Sequence, residues 1–369
     1  MTTQSDVLLV GQTPPPFHGQ AIVTQMLFDY DWGELKVCRL RMSYSESLEG
    51  VGKFKIGKLW HLVSLIVKTW WIALTQQPKI LYYLPASPNW APVIRDVLYL
   101  AAVRCFFPKL VLHFHAGGLD RFFQQQSLLN RLFFWVYERA DCSIDVNVTD
   151  PPSGRYFLAK KNVVVMNGIE VNQVTRDRQE DDIFRVLYIG ALCEEKGVLG
   201  LVKIAKLLKE NDRTIQIILV GEWASKEFES MILSLIQEEE VSDVFIIKGR
   251  LDGDAKWREF ANADSLIFPS HHPTETFGLV LIEAMAFSLP IVATRWRGIP
   301  YVVGEDQGAI LCDIAAPQQY ADAIRKMSED RMFCQQMGKK GYQRYIENFT
   351  EDRFLSKMDK EFKDLLDKG

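Results

Sequence analysis

Along the whole chain, short apolar runs alternate with longer segments whose apolar residues recur every three or four positions. In the first half the runs at residues 7–10, 79–84, 110–115 and 163–166 read as strands, and a helix opens near Gln20. The second half repeats the pattern more cleanly, with strands at 185–189, 215–220, 244–248, 265–268, 291–294 and 309–312. Helical spacing fills the gaps between them, including 198–209, 226–238 and 278–287. Strand–helix alternation of this kind predicts α/β units with parallel sheets covered on both faces. Asn167-Gly168 is a turn signal, and residues 173–182 are polar and charged, so a domain boundary falls there: 1–168, then 169–349. From 317 onward the chain is almost continuously helical in period, broken near Asp330 and Thr350. Thr350, Glu351 and Asp352 make a helix start, with negative charge at the positive end of the dipole, so 350–369 forms a last helix.

Composition narrows the class. A chain of 369 residues is long for one core and comfortable for two. Hydrophobic residues at 48% and charged ones at 24% exclude a disordered or fibrous protein. The net charge of −4 is uneven: residues 1–168 hold 17 Lys/Arg against 12 Asp/Glu, and the acidic excess lies beyond. A mildly basic half suits an anionic partner such as an acidic membrane surface, although solvated surface charge accounts for it equally well. Six scattered cysteines, with no CxxC or Cys/His cluster, argue against a disulfide framework or a zinc site and fit a reducing compartment. Residues 1–6 lack the layout of a signal peptide. Residues 59–75 are the most apolar stretch, yet they are only about one span long and contain His61 and Lys68. They read as an amphipathic or buried helix that does not cross a membrane. Lys53, Lys55, Lys58 and Lys68 with Trp60, Trp70 and Trp71 suit an interfacial helix; a core helix with a basic rim explains the same residues.

The segment from Ser270 to Ala286 (SHHPTETFGLVLIEAMA) carries the most chemistry. It leaves a strand, passes through a polar loop and starts a helix near Phe277-Gly278. A helix start offers unpaired N–H groups and partial positive charge, a seat for phosphate. Glu283 lies five residues beyond Gly278, about 7.5 Å along a helix, where a carboxylate can accept hydrogen bonds from a ribose diol. Glu275 precedes the helix and can address a sugar beyond the phosphate. Two glutamates eight apart also describe an ordinary helix with one acid at its start and one on its exposed face. The whole string decides the matter, because it resembles the Glu-x7-Glu signature of the family-4 retaining glycosyltransferases, through Phe277-Gly278, Glu283-Ala284-Met285-Ala286 and Pro290-Ile291-Val292-Ala293-Thr294. A second segment, residues 188–197, matches that family's strand, loop and helix start at Lys196-Gly197, where a lysine pairs with diphosphate as a point charge. The family's usual Arg is here Ala191. Either Arg250, Arg295 or Arg297 substitutes, or the leaving group is held less firmly.

The resemblance implies the GT-B fold: two Rossmann-like, doubly wound domains facing a central cleft, with the C-terminal helix returning to the first. It implies catalytic roles for His115, Glu275 and Lys196. It also implies donor contacts from Gly19, Gly190, Lys196, Arg250, Leu251, Thr276, Phe277, Gly278, Leu279 and Glu283. His113 and His115 end a strand and share one face by alternation, and His115 fits the family's sugar-directed position. Residues 14–21 (PPPFHGQA) look like the family's glycine-rich first loop, with His18 in place of one glycine. Asp252-Gly253-Asp254 has the form of a metal-binding DxD, but it precedes a helix, where capping explains an aspartate. No metal or other cofactor is expected. The implied activity is transfer of a hexose from a nucleotide sugar, UDP-linked by family frequency, to a saccharide or lipid-linked saccharide. The setting is the cytoplasm, with peripheral contact to an anionic membrane and no nucleic-acid partner. The opening loop resembles exopolysaccharide enzymes. A nucleotide-sugar 2-epimerase or a non-catalytic nucleotide-sugar binder shares the architecture. A nicotinamide dehydrogenase does not fit, because the first loop has no GxGxxG.

Overall fold

Among the described residues, twelve strands build two separate, wholly parallel sheets. The computed structural model describes residues 4–15, 18–42, 56–124, 128–148, 153–178, 181–210 and 215–367. Lys53, Lys55, Pro16 and Phe17 lie outside these residues. The first sheet contains β1 (Val7–Gln12), β2 (Val37–Met42), β3 (Ile80–Tyr83), β4 (Lys109–Phe114), β5 (Cys142–Asp145) and β6 (Asn162–Val164). The second contains β7 (Phe184–Ile189), β8 (Ile215–Val220), β9 (Phe245–Gly249), β10 (Ser265–Phe268), β11 (Ile291–Thr294) and β12 (Ala309–Cys312).

Contacts divide the chain into one unit of residues 1–167 with 352–369 and a second of residues 168–351. The first sheet runs β2-β1-β3-β4-β5-β6, so its strand order reverses between β1 and β3. Val7–Val10 of β1 and all of β3 are apolar and buried, as burial on both faces requires. Helix Glu351–Asp367 buries Phe354, Leu355, Met358, Phe362 and Leu365. Phe362 lies edge-on to Tyr82 of β3, with ring centroids 5.6 Å apart, and 5.3 Å from Trp32. Glu361 pairs with Lys161, tying the helix to the segment just before β6.

The second sheet runs β12-β11-β10-β7-β8-β9. Counted from β7, this is the Rossmann order 6-5-4-1-2-3, with its reversal between β7 and β10. Val186, Tyr188, Ile217, Leu219, Ile267 and Val292 meet helix Val198–Lys209 and helix Pro317–Glu329 in one buried cluster. The sequence pattern located every strand of this sheet and missed β2 and β5 of the first. Residues 59–75 fall within one helix, Ile56–Gln76. Among the described residues, no helix is long and apolar enough to cross a membrane.

Candidate active site

Neighbouring parallel strands release their loops from the same sheet edge, so the loops after β7 and β10 emerge side by side where the order reverses. Three contacts knit them together. Gly197 has φ +83°, and a Cβ there would stand 2.4 Å from the Pro269 carbonyl oxygen. The His271 N–H donates to the Glu195 carbonyl at 2.9 Å. Lys196 Nζ donates to Glu275 Oε2 at 2.5 Å, although 79 residues separate them. Ser270 Oγ donates to the same oxygen at 2.8 Å. Both Ser270 and Glu275 are buried, so the carboxylate is fixed by two donors and in turn fixes the ammonium. The sequence reading assigned Lys196 to a diphosphate and Glu275 to a sugar; in this structure the two pair with each other.

His272 sits against the pair. Its Nδ1 accepts from the Thr274 N–H at 3.3 Å, and Trp296 Nε1 donates to its carbonyl at 2.9 Å. Burial first, and the charge of Lys196 second, hold its imidazole below the usual histidine range.

Gly278, at φ +76°, is the residue preceding helix Leu279–Ala286, one position later than the sequence pattern places the helix start. A Cβ at Gly278 would press on Leu281 Cδ1 at 3.1 Å and Phe268 Cζ at 3.2 Å. Phe277 is buried edge-on to Phe349, and Thr276 is buried beside it. The Leu279 and Val280 N–H groups have no acceptor within this helix, the arrangement that seats an anion, whereas the Leu281 N–H donates to the Gly278 carbonyl at 2.9 Å. Glu283 lies on the buried side of the helix, only 6% exposed, which excludes the ordinary exposed-face alternative. Lys256 Nζ donates to Glu283 Oε1 at 2.6 Å and lies 4.5 Å from the Trp257 ring centroid. Lys256 was not singled out in the sequence, because a lysine on helix Gly253–Asn262 carries no motif. Ser270 and His272, inside the recognised string, were likewise passed over.

The other expected donor residues of the second unit lie on the same sheet edge. Gly190 (φ +153°) ends β7, and Gly221 packs so closely that a Cβ on it would stand 1.8 Å from the Gly190 carbonyl oxygen. Arg250 follows β9 and pairs with Asp252 at 3.0 Å and with Glu222 at 3.6 Å; Leu251 is half-buried beside it. Arg295 pairs with Glu305 at 2.5 Å, and Arg297 lies over the Trp296 ring. Asp252 sits at the start of helix Gly253–Asn262 but makes no side-chain cap. Its carboxylate accepts from Arg250 instead, which corrects the capping explanation. Asp254 accepts from Asn172 at 2.7 Å.

In the first unit, His18 Nδ1 caps helix Gly19–Asp29 by accepting from the Ala21 N–H at 3.3 Å, leaving Gly19 exposed at the helix start. His113 and His115 share a face, with ring centroids 4.2 Å apart. Tyr82 Oη and His113 Nδ1 are hydrogen-bonded at 2.6 Å. Burial, and secondarily His18, lower the His115 pKa to about 3, so its imidazole is neutral across the physiological range.

Residues 173–344 match the family described as Glycosyl transferases group 1. The matched residues fall within the second unit. The Lys196–Glu275 pair, the Gly278 helix start and Glu283 all lie inside it. The chain is 29% identical over 182 residues to N-acetyl-alpha-D-glucosaminyl L-malate synthase of Bacillus anthracis, covering 49% of this chain and 45% of that protein. It is 24% identical over 247 residues to O-antigen chain mannosyltransferase C of Escherichia coli, covering 63% and 64%. Thus the match spans less than half the length of the first of these relatives. Among solved structures, sucrose-phosphate synthase of Thermosynechococcus elongatus superposes with a TM-score of 0.76 at 18% identity, covering 99% of this chain and 100% of that one. Anabaena HepE in complex with UDP gives 0.71 at 17%, covering 97% and 100%. These likenesses establish the GT-B fold.

Proposed function

We propose that the chain is a retaining, metal-independent glycosyltransferase. It moves a hexose from a nucleoside diphosphate sugar, UDP-linked, to a saccharide or lipid-linked saccharide in polysaccharide biosynthesis. The observation that carries this reading is the convergence of Lys196 and Glu275 where β7 and β10 part, beside a helix start and a buried Glu283. Such a reversal point is where nucleotides bind in open α/β sheets. The group 1 match, the UDP bound by HepE and the mannosyltransferase relative support the donor class and the reaction.

In this reading the helix start and Lys196 face the diphosphate, and Glu283 accepts from the ribose hydroxyls while Lys256 fixes its rotamer. Glu275 orients the sugar hydroxyls. An arriving diphosphate competes with Glu275 for Lys196, so the ammonium stabilises charge that grows as the C1–O bond breaks. The acceptor oxygen attacks C1 from the face the diphosphate leaves, and its proton passes to the departing oxygen. His115, in the first unit, is neutral because it is desolvated, so its imidazole carries no charge. Positioning and electrostatics supply the rate, with no covalent enzyme intermediate.

Glu275→Gln and Glu275→Ala test the proposal in an acceptor-dependent transfer assay run with a chelator present. Each variant loses transfer by about 100-fold or more while still binding nucleotide. Near-normal transfer by Glu275→Ala overturns the site assignment.

A further inference from the structure

Two helices of the first unit carry apolar stripes on the side turned away from the core. Helix Ile56–Gln76 buries Leu62, Leu65, Thr69 and Ile72 inward. Its opposite stripe is equally apolar: Trp60, Val63, Val67, Trp71 and Leu74 recur at three- and four-residue spacing, with Trp60, Trp71 and Leu74 exposed by 71%, 67% and 69%. Helix Trp90–Val103 repeats the device with Trp90, Ile94 and Leu98 exposed. The helices are joined side by side by Thr69 Oγ1 to Tyr99 Oη at 2.8 Å and by Trp70 Nε1 to the Ala102 carbonyl at 2.9 Å. Trp70 packs on exposed Phe106, with centroids 6.2 Å apart. A surface helix with two apolar faces is not explained by the core it covers, and soluble proteins rarely expose large contiguous apolar patches without a partner.

Charge selects the partner. Residues 50–119 contain eight Lys or Arg and a single acid, Asp96. Asp96 is fully buried, where it pairs with Arg95 and accepts from Tyr83 Oη and the Ala86 N–H. No acidic group from this stretch therefore reaches the surface, while Lys68 and Lys79 do. Exposed tryptophans with aliphatic residues and an all-basic rim match the interface of an anionic bilayer, where indole rings sit at headgroup depth and lysines meet phosphate.

We infer that this two-helix face docks the first unit on a membrane surface bearing anionic phospholipid, lying in the interface rather than crossing it. The sequence suggests an interfacial role for residues 51–75 alone; the structure adds helix Trp90–Val103 and the burial of Asp96. The inference rests on the proposed function only in giving the enzyme a reason to work at a lipid surface.

The full chain is sedimented with vesicles of phosphatidylcholine and with vesicles of an equal phosphatidylcholine–phosphatidylglycerol mixture, and tryptophan emission is recorded. Binding to the anionic vesicles with a blue shift, weakened by salt, is expected. Trp60→Ser combined with Trp71→Ser and Leu74→Ser lowers partitioning at least about tenfold, and Lys68→Glu lowers it about fivefold. Far-UV circular dichroism and UDP binding by the second unit stay unchanged in both, so a failure here is distinct from a failure of the donor site. Absence of binding overturns the inference, as does equal binding to neutral vesicles. Concentration-dependent self-association abolished by the same substitutions also overturns it, because the face then belongs to a second copy.

Discussion

Lys256 shows how a residue outside every motif enters the site. It forms its ion pair with Glu283 at 2.6 Å, where the acid is only 8% and the lysine 21% exposed. With one oxygen of Glu283 committed to an ammonium, the carboxylate is held in one rotamer and its charge is tolerated in a buried setting. Removing the partner leaves a buried charge uncompensated. Lys256→Met is expected to weaken nucleoside diphosphate binding by about tenfold, and Lys256→Arg by less, measured by titration calorimetry. The loss shrinks when the probe is a 2′,3′-dideoxy nucleotide, which has no diol for Glu283 to hold. An equal loss for both probes would mean that Lys256 acts elsewhere. Ala191 is a different case: its carbonyl accepts from Tyr188 Oη at 2.7 Å, and its methyl group brings no charge to the site. The described arginines nearest in sequence logic are occupied by Glu222, Asp252 and Glu305.

At the level of elements, the two active-site loops behave as one body because Gly197 lets them touch. Its left-handed φ and the 2.4 Å approach to the Pro269 carbonyl both exclude a side chain. Gly197→Ala is therefore expected to cost about 2–4 kcal/mol in chemical denaturation and to reduce nucleotide binding, since the Lys196 and Glu275 loops must separate. Unchanged stability would show that the loops part freely. The strand-to-loop-to-helix logic of this region was plain in the sequence because β7, β8, β10 and β11 each hold three or more consecutive apolar residues that are largely buried: Val186–Ile189, Ile217–Val220, Leu266–Phe268 and Ile291–Ala293. β2 and β5 were invisible for a physical reason. Val37–Met42 is an edge strand in which exposed Arg39 and Arg41 alternate with Cys38, Leu40 and Met42, so it lacks the continuous apolar run that marks the other strands. Cys142–Asp145 is only four residues long and hides Ser143 and Asp145 inside, the latter accepting from the Ser153 N–H at 3.2 Å. Motifs identified the glutamates, Lys196 and Gly278; pairings such as Lys196–Glu275 and Lys256–Glu283 depend on which strands become neighbours, which no local pattern encodes.

Across the whole molecule, buried titrating groups set the response to acid. His113 and His115 have folded pKa values below the ordinary 6.5, well below for His113 and about 3 for His115, because burial penalises their charged forms. The unfolded chain therefore takes up protons first, and their contribution to stability is complete above about pH 6.5 and lost as pH falls toward about 3. Asp145 has the opposite sign: burial raises it from 3.8 to about 6, so its contribution is present below the lower value and lost as pH rises through the upper one. Two histidines outweigh one aspartate. Thermal unfolding of the full chain is expected to soften from about pH 7 to about pH 5, and His113→Gln to flatten that slope. A steeper slope in the variant would contradict this account. The first unit is also discontinuous, completed by residues 352–369 after the second unit has intervened. All six strands of the first sheet are made by residue 164, yet Tyr82 and Trp32 lack their contact with Phe362 until that residue is made, 280 positions after Tyr82. Maturation is therefore expected to run opposite to chain order, with the second unit becoming protease-resistant before the first when nascent chains are pulsed with protease.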